Sequence, residues 1–324
     1  MSMRNAVLNF NKQFDFEPEI ENKENLKNKD IFLVAGMGGS HWAADIIQTL
    51  NPAINIVIHS DYDLSSFPEN MLNSALIILS SYSGNTEETL SVLAEALERK
   101  FAVAAISVNG KLAELASINA IPYVRMPDTG IQPRSALGFS IRAMLKVMRQ
   151  NKLLDESKFL SNKLDPASLE GEGKNLAKLL RGKIPVIYSS ATNRSVAFNW
   201  KIKFNETGKI PAFANVFPEL NHNEMTGFDV KKNTEELSRN FHFIFLKDES
   251  DHTKISKRME IAEKLYSDRG LAVTALDLKG DSKMEKIFSS LVLADWAAYY
   301  TADNYGLEPE QVPMVEEFKK MIAD

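Results

Sequence analysis

The chain has 324 residues, room for two domains at about 150 residues each, which argues against a lone small binding module. Its composition, 44% hydrophobic and 25% charged, is that of an ordinary globular protein and excludes disorder as the main state. The 38 basic and 43 acidic side chains leave a net charge of -5, a weak field of the wrong sign for nucleic acid or an anionic membrane, so any phosphate must be held locally. Residues 1–20 are too polar for a signal peptide, and no run reaches the roughly 18 apolar residues of a membrane span. Zero cysteines excludes disulfides, thiolate metal sites and cysteine nucleophiles. The expectation is a cytoplasmic protein.

Short apolar runs at Ile31–Ala35, Asn55–His59, Ala75–Ser80 and Val103–Ser107 each end in a turn signal and are followed by a longer amphipathic segment. Between the last two, Leu90, Leu93 and Leu97 recur at helical spacing. A strand, helix, strand rhythm predicts a parallel, doubly wound sheet. After the polar stretch 151–164 the rhythm repeats, with apolar runs at 184–188, 241–246 and 271–278. Two doubly wound subdomains are therefore expected, residues 1–153 and 154–324. The C-terminal tail reads as helical over 284–300, breaks at 307–313 and ends in a short helix near Lys319 and Lys320.

Two loops carry anion-binding chemistry. Gly36-Met37-Gly38-Gly39-Ser40 follows the first strand and precedes a helix, so its amides can face an anion. A dinucleotide fingerprint would need a further glycine where His41 stands, although Asp61 lies where a ribose-binding acid belongs. The loop after the third strand, Ser81-Tyr82-Ser83-Gly84-Asn85-Thr86-Glu87-Glu88-Thr89, places hydroxyls and a glycine at a helix start. Hydroxyls donate to phosphate oxygens, Gly84 lets the backbone approach, and the helix amides add a positive pole. A plain N-cap accounts for Thr86 but not for Ser81 and Ser83 as well. In the second half, Ser189-Ser190-Ala191-Thr192-Asn193-Arg194 is expected to occupy the corresponding loop and lacks the Ser-Gly-Asn-Thr core, so only the first half should bind phosphate.

The Ser81–Thr89 segment resembles the phosphosugar-binding signature of sugar isomerase (SIS) domains. Asn199-Trp200-Lys201-Ile202-Lys203-Phe204-Asn205-Glu206, Pro218-Glu219-Leu220-Asn221-His222-Asn223-Glu224, Pro133-Arg134-Ser135-Ala136-Leu137-Gly138 and the ending from Tyr305 to Lys319 are similar to bifunctional phosphoglucose/phosphomannose isomerases over nearly the whole chain. That resemblance implies an α/β fold of two SIS-type sandwiches and an enediol isomerisation of glucose 6-phosphate and fructose 6-phosphate, extending to mannose 6-phosphate. Neither cofactor nor metal is implied. Moving a carbonyl between C1 and C2 needs one base that shuttles a carbon-bound proton, and the resemblance makes it Glu206; its apolar neighbours Ile202 and Phe204 suggest burial that would raise a carboxyl toward usefulness. His222 is implied as the group that opens the sugar ring, with Glu219, Asn221 and Asn223 beside it to orient it. Lys319 is implied as a lysine assisting proton movement at sugar oxygens, and Arg134 as the charge that balances the enediolate. Gly39, Ser40, Ser81, Ser83 and Thr86 complete the expected substrate contacts. His41-Trp42 and Thr207 depart from the usual pattern and bear on substrate preference. A homodimer in which the partner supplies His222 is a further expectation of the resemblance. A non-catalytic phosphosugar sensor is the alternative, disfavoured by Glu206 and His222. The amidotransferase isomerase module, which needs an N-terminal cysteine in its glutaminase, is excluded unless ammonia comes from elsewhere.

Overall fold

The structure, a computed structural model, describes residues 1–323. Its contacts divide the chain into two compact units. One holds Met1 and Asn9–Leu164; the other holds Ser2–Leu8 and the residues from Asp165 onward. The boundary expected at 153/154 falls inside the helix Asn151–Lys158. The polar stretch 151–164 is helical, at Asn151–Lys158 and Leu160–Lys163, and stays with the first unit because Leu154, Leu160 and Leu164 are buried there. The N-terminal helix Met3–Leu8 belongs to the second unit: Arg4 pairs with Glu170 at 2.9 Å and lies over the Trp296 ring.

The first unit is a five-stranded parallel sheet in the order β2-β1-β3-β4-β5, with β1 at Ile31–Ala35, β2 at Asn55–His59, β3 at Ala75–Ser80, β4 at Val103–Ser107 and β5 at Tyr123–Arg125. Side chains alternate across a strand, so Leu33, Ala35, Ile77, Leu79 and Ala105 enter one core with the helices Glu69–Ser74, Glu87–Glu98 and Gly110–Ile118. The intervening Phe32, Val34, Leu76, Ile78, Ala104 and Ile106 are buried too, which is why these strands read as unbroken apolar runs. The helices Trp42–Leu50 and Leu137–Val147 pack together outside that first core.

The second unit is a four-stranded parallel sheet in the order β7-β6-β8-β9: β6 at Ile184–Ser190, β7 at Phe213–Phe217, β8 at Phe241–Lys247 and β9 at Ala272–Asp277. Val186, Tyr188, Phe217, Phe243 and Phe245 form one core with Met259, Ala262 and Tyr266 of the helix Thr253–Ser267. Two further helices, Glu170–Leu179 and Arg194–Glu206, pack against the long helix Lys283–Asn304. The last helix among the described residues is Pro313–Ala323. Each sheet thus has a first strand flanked by the second and third, and that shared order defines which loops correspond.

Candidate active site

Three loops of the first unit meet near the carboxyl ends of β1 and β3, where open α/β sheets bind ligands. The Ser40 hydroxyl accepts the Tyr82 amide at 3.1 Å, and the Ser80 hydroxyl donates to the Ser40 carbonyl at 2.6 Å, which ties the two glycine-bearing loops together. A Cβ added at Gly39 would lie 3.6 Å from the backbone of Pro133 and Arg134, so the short turn Pro133–Ser135 forms the third wall. Arg134 is 4% exposed.

Within the β3 loop, Ser81 and Thr86 share a hydroxyl–hydroxyl bond of 2.8 Å, the Gly84 amide donates to the Ser81 hydroxyl at 3.1 Å, and the Asn85 amide donates to that of Ser83 at 3.2 Å. Gly84 has φ +74°, and a Cβ there would sit 1.8 Å from the Asn109 carbonyl oxygen, so only glycine fits. Thr86 occupies the N-cap position of the helix Glu87–Glu98, yet its side chain makes no capping bond because its hydroxyl is turned to Ser81. The plain N-cap reading therefore fails, and the first amides of that helix stay open to an anion. Ser83 is exposed in the same loop. One neighbour had no sequence signal: the buried Tyr82 hydroxyl has no partner among the described residues, and burial, then the charge of Asp128, pushes it up to about 12.

The departures after the first loop resolve into structural roles. Trp42 is 1% exposed and is a packing residue of its helix. The His41 ring bonds Asp45 at 2.7 Å.

In the second unit Glu206 is the last residue of the helix Arg194–Glu206. Burial was expected around it; Ile202 and Phe204 are buried, but Glu206 is only half-buried because the helix ends there. The helix is held against the long helix Lys283–Asn304. Lys203 forms an ion pair with Asp295 at 2.6 Å, both almost fully buried, and the Trp200 indole donates to Ser290 at 2.9 Å. Lys209, at φ +59°, donates to the Glu206 carbonyl and to those of Pro309 and Gln311, fastening the helix end to the segment before the terminal helix. Thr207 is fully buried, its amide donating to the Lys203 carbonyl at 2.9 Å.

His222 ends the turn Glu219–His222 after β7 and is exposed. Its expected orienting neighbours do not bond it. Asn223 donates to Glu219 at 2.7 Å, Asn221 accepts from Arg258 at 3.2 Å, and His222 has no hydrogen-bond partner among the described residues. The network builds the turn and leaves the imidazole free. Lys319 lies on the exposed terminal helix, paired with Glu316 at 2.9 Å.

The loop expected to correspond to the phosphate loop is corrected by topology. Ser189-Ser190-Ala191-Thr192-Asn193-Arg194 closes β6, the counterpart of β1, and leads out of it, so it matches the segment at the end of β1 that carries Gly36–Ser40. The counterpart of β3 is β8, and its loop carries Asp248, Glu249 and Asp251. Asp248 is buried and takes bonds from Ser250 at 3.0 Å, Asn193 at 3.2 Å and Lys286 at 3.3 Å. Burial works upward on its carboxyl, but the Ser250, Asn193 and Lys286 interactions prevail and hold it below the ordinary value. Burial pushes Asp251 up. The following helix, Thr253–Ser267, is capped by its own His252, whose ring accepts the Lys254 amide at 3.1 Å. Among the described residues no three His, Cys, Asp or Glu side chains gather as a metal site would need.

Comparison with known proteins bears on these features. The model of the bacterial phospho-glucose isomerase C-terminal SIS domain matches residues 169–322. The bifunctional phosphoglucose/phosphomannose isomerase of Aquifex aeolicus is 32% identical over 321 residues, 97% of this chain and 96% of its own. That of Thermoplasma volcanium is 33% identical over 297 residues, covering 91% and 92%. Among solved structures, the tagatose-6-phosphate ketose/aldose isomerase of Escherichia coli matches with a TM-score of 0.67 at 18% identity, covering 95% of this chain and 88% of its own. The C-terminal domain of glucosamine-fructose-6-phosphate aminotransferase from Francisella tularensis matches at 0.67 and 15% identity, covering 96% of each. At these identities the structural matches establish the two-sheet SIS architecture alone.

Proposed function

The chain belongs to the family of bifunctional phosphoglucose/phosphomannose isomerases, and from that premise we propose that it interconverts glucose 6-phosphate and fructose 6-phosphate, and mannose 6-phosphate with the same ketose, through an enediol. The observation that carries the reading is the β3 loop, whose hydroxyls bond one another and leave a helix N-terminus uncapped. Phosphate takes the Ser83 and Thr86 hydroxyls and the open amides, with Ser40, Ser81 and Gly39 forming the wall behind. Glu206 removes the proton from C2 of the open-chain aldose and returns it to C1. His222 protonates the ring oxygen as the C1 hydroxyl gives up its proton, opening the ring. Arg134 balances the charge that develops on the enediolate oxygens, and Lys319 helps the proton pass between O1 and O2. Glucose and mannose phosphates differ only at C2, so loss of the C2 proton leads both to one enediol.

The acid and base groups carry every proton transfer in this scheme, and no step calls for a metal or cofactor. We place the protein in the cytoplasm, where sugar phosphates are held, and take it as a homodimer whose partner lends His222. The exposure of His222 and the apolar face of the terminal helix at Met314, Phe318 and Met321 support that assembly. Among the described residues no helix is long and apolar enough to cross a membrane.

The deciding assay incubates purified protein with glucose 6-phosphate in the presence of a chelator and follows fructose 6-phosphate, then repeats it with mannose 6-phosphate. Ketose from both is the expected result. No ketose from either would make this a phosphosugar-binding protein without catalysis.

A further inference from the structure

We propose that Glu224 is the positioning residue that sets the imidazole of His222, an inference that rests on the reading of His222 as the ring-opening group. Both oxygens of Glu224 are committed: one accepts from the Tyr188 hydroxyl on β6 and the other from the Asn215 side-chain amide on β7. Tyr188 is fully buried, with Phe217, Phe243, Phe245 and Tyr266 around it at ring separations of 5.9, 5.5, 5.5 and 6.4 Å. Packing this close allows the phenol one placement, so its hydroxyl is a fixed point for the carboxylate. Burial above all drives the Tyr188 phenol upward, which favours the protonated form that donates to Glu224. Asn215 is locked in turn by the Val216 amide, which donates to its oxygen at 2.8 Å.

From Glu224 the chain of bonds runs back into the turn that carries His222. The Glu224 amide donates to the Asn223 side-chain oxygen at 2.5 Å, and the Asn223 nitrogen donates to Glu219 at 2.7 Å. Asn221, on the other side of His222, is held by Arg258 of the helix Thr253–Ser267. With no hydrogen bond of its own, the imidazole takes its place from this backbone alone. A carboxylate engaged at both oxygens is badly placed to take a carbon-bound proton, which separates Glu224 from Glu206 in role. Proton transfer tolerates little misplacement, so loosening the Glu224 anchor acts on the chemical step through His222.

The test is a double-mutant cycle on glucose 6-phosphate turnover with Glu224→Gln, His222→Asn and the pair. Glutamine keeps the size but presents an N–H where a carboxylate oxygen accepted. Glu224→Gln is expected to lower kcat about tenfold to a hundredfold with KM changed by less than about twofold. In the His222→Asn enzyme the same change should cost nothing more, because a misplaced imidazole does not matter once the imidazole is gone. A full, independent loss in the His222→Asn background, or wild-type kcat for Glu224→Gln beside a slow His222→Asn, overturns the proposal and leaves the ring-opening reading standing. Wild-type turnover by His222→Asn alone overturns that reading and this proposal with it. Should Glu224→Gln fail to fold, Asn223→Ala at an exposed position cuts the link between Glu224 and Glu219 and takes its place in the cycle, with the same expected pattern and the same overturning results.

Discussion

The loops after β3 and after β8 stand at the same place in two sheets of the same strand order, and they have opposite chemistry. After β3, the Thr86 hydroxyl turns to Ser81 and the helix Glu87–Glu98 is left without a side-chain cap. After β8, His252 caps the helix Thr253–Ser267, and the buried Asp248 accepts from both Asn193 and Lys286. One loop leaves its helix start without a side-chain cap, and the other closes its own with a cap and gathers carboxylates beside it. The same backbone frame gives an uncapped helix start or a closed structural joint according to where a few side chains send their hydrogen bonds.

In the proposed scheme binding falls to the first unit and proton transfer to the second, and the largest expected effect tests that division. Glu206→Gln should lower kcat about a hundred- to ten-thousand-fold with KM nearly unchanged, since the amide keeps size and polarity but cannot take the proton. Near wild-type turnover removes Glu206 from the mechanism, and a change in KM alone breaks the division. The double variant Ser83→Ala with Thr86→Ala should act the other way. Losing two hydrogen bonds to a charged phosphate should raise KM about a hundredfold, read from initial rates at varied substrate. Gly84→Ala is next: a side chain at φ +74° that meets the Asn109 carbonyl should cost on the order of 3 kcal/mol or more in thermal melting.

The β8 loop provides controls of smaller effect. Asp248 is held below its unfolded value, so its contribution to stability is present above about pH 4 and is lost as pH falls through the folded value. Asp248→Asn should therefore flatten the acid side of a melting-temperature profile while KM stays put. His252→Ala should cost about 1 kcal/mol of stability by removing a cap, with kinetics unchanged. A KM shift in either variant would mean that the second loop also serves the substrate.

Much of the fold was legible because buried parallel strands read as unbroken apolar runs, as at Ala75–Ser80. Two strands escaped for physical reasons. β5 has three residues, and β7 is a half-exposed edge strand carrying Asn215, so each exists by pairing with a neighbour more than by its own pattern. The candidate site was legible where function depends on residue type in a local segment, as in Ser81–Thr86. It was not legible where it depends on partners distant in the chain. Glu219, Asn221 and Asn223 looked like supports for the imidazole and instead build its turn, while Glu224 reaches Tyr188 across 36 positions of sequence.

The sequence by itself determined the class of fold, the hydroxyl-rich phosphate loop and the resemblance that identifies the chemistry, because strand burial, turn formation and helix starts are set by residues near one another. Only the tertiary structure decided which second-half loop answers to the phosphate loop, that the N-terminal helix packs with the second unit, and how the His222 turn is anchored. Those outcomes rest on sheet order and on hydrogen bonds between residues far apart in the chain, and no local pattern encodes which of several eligible donors an acceptor finally meets.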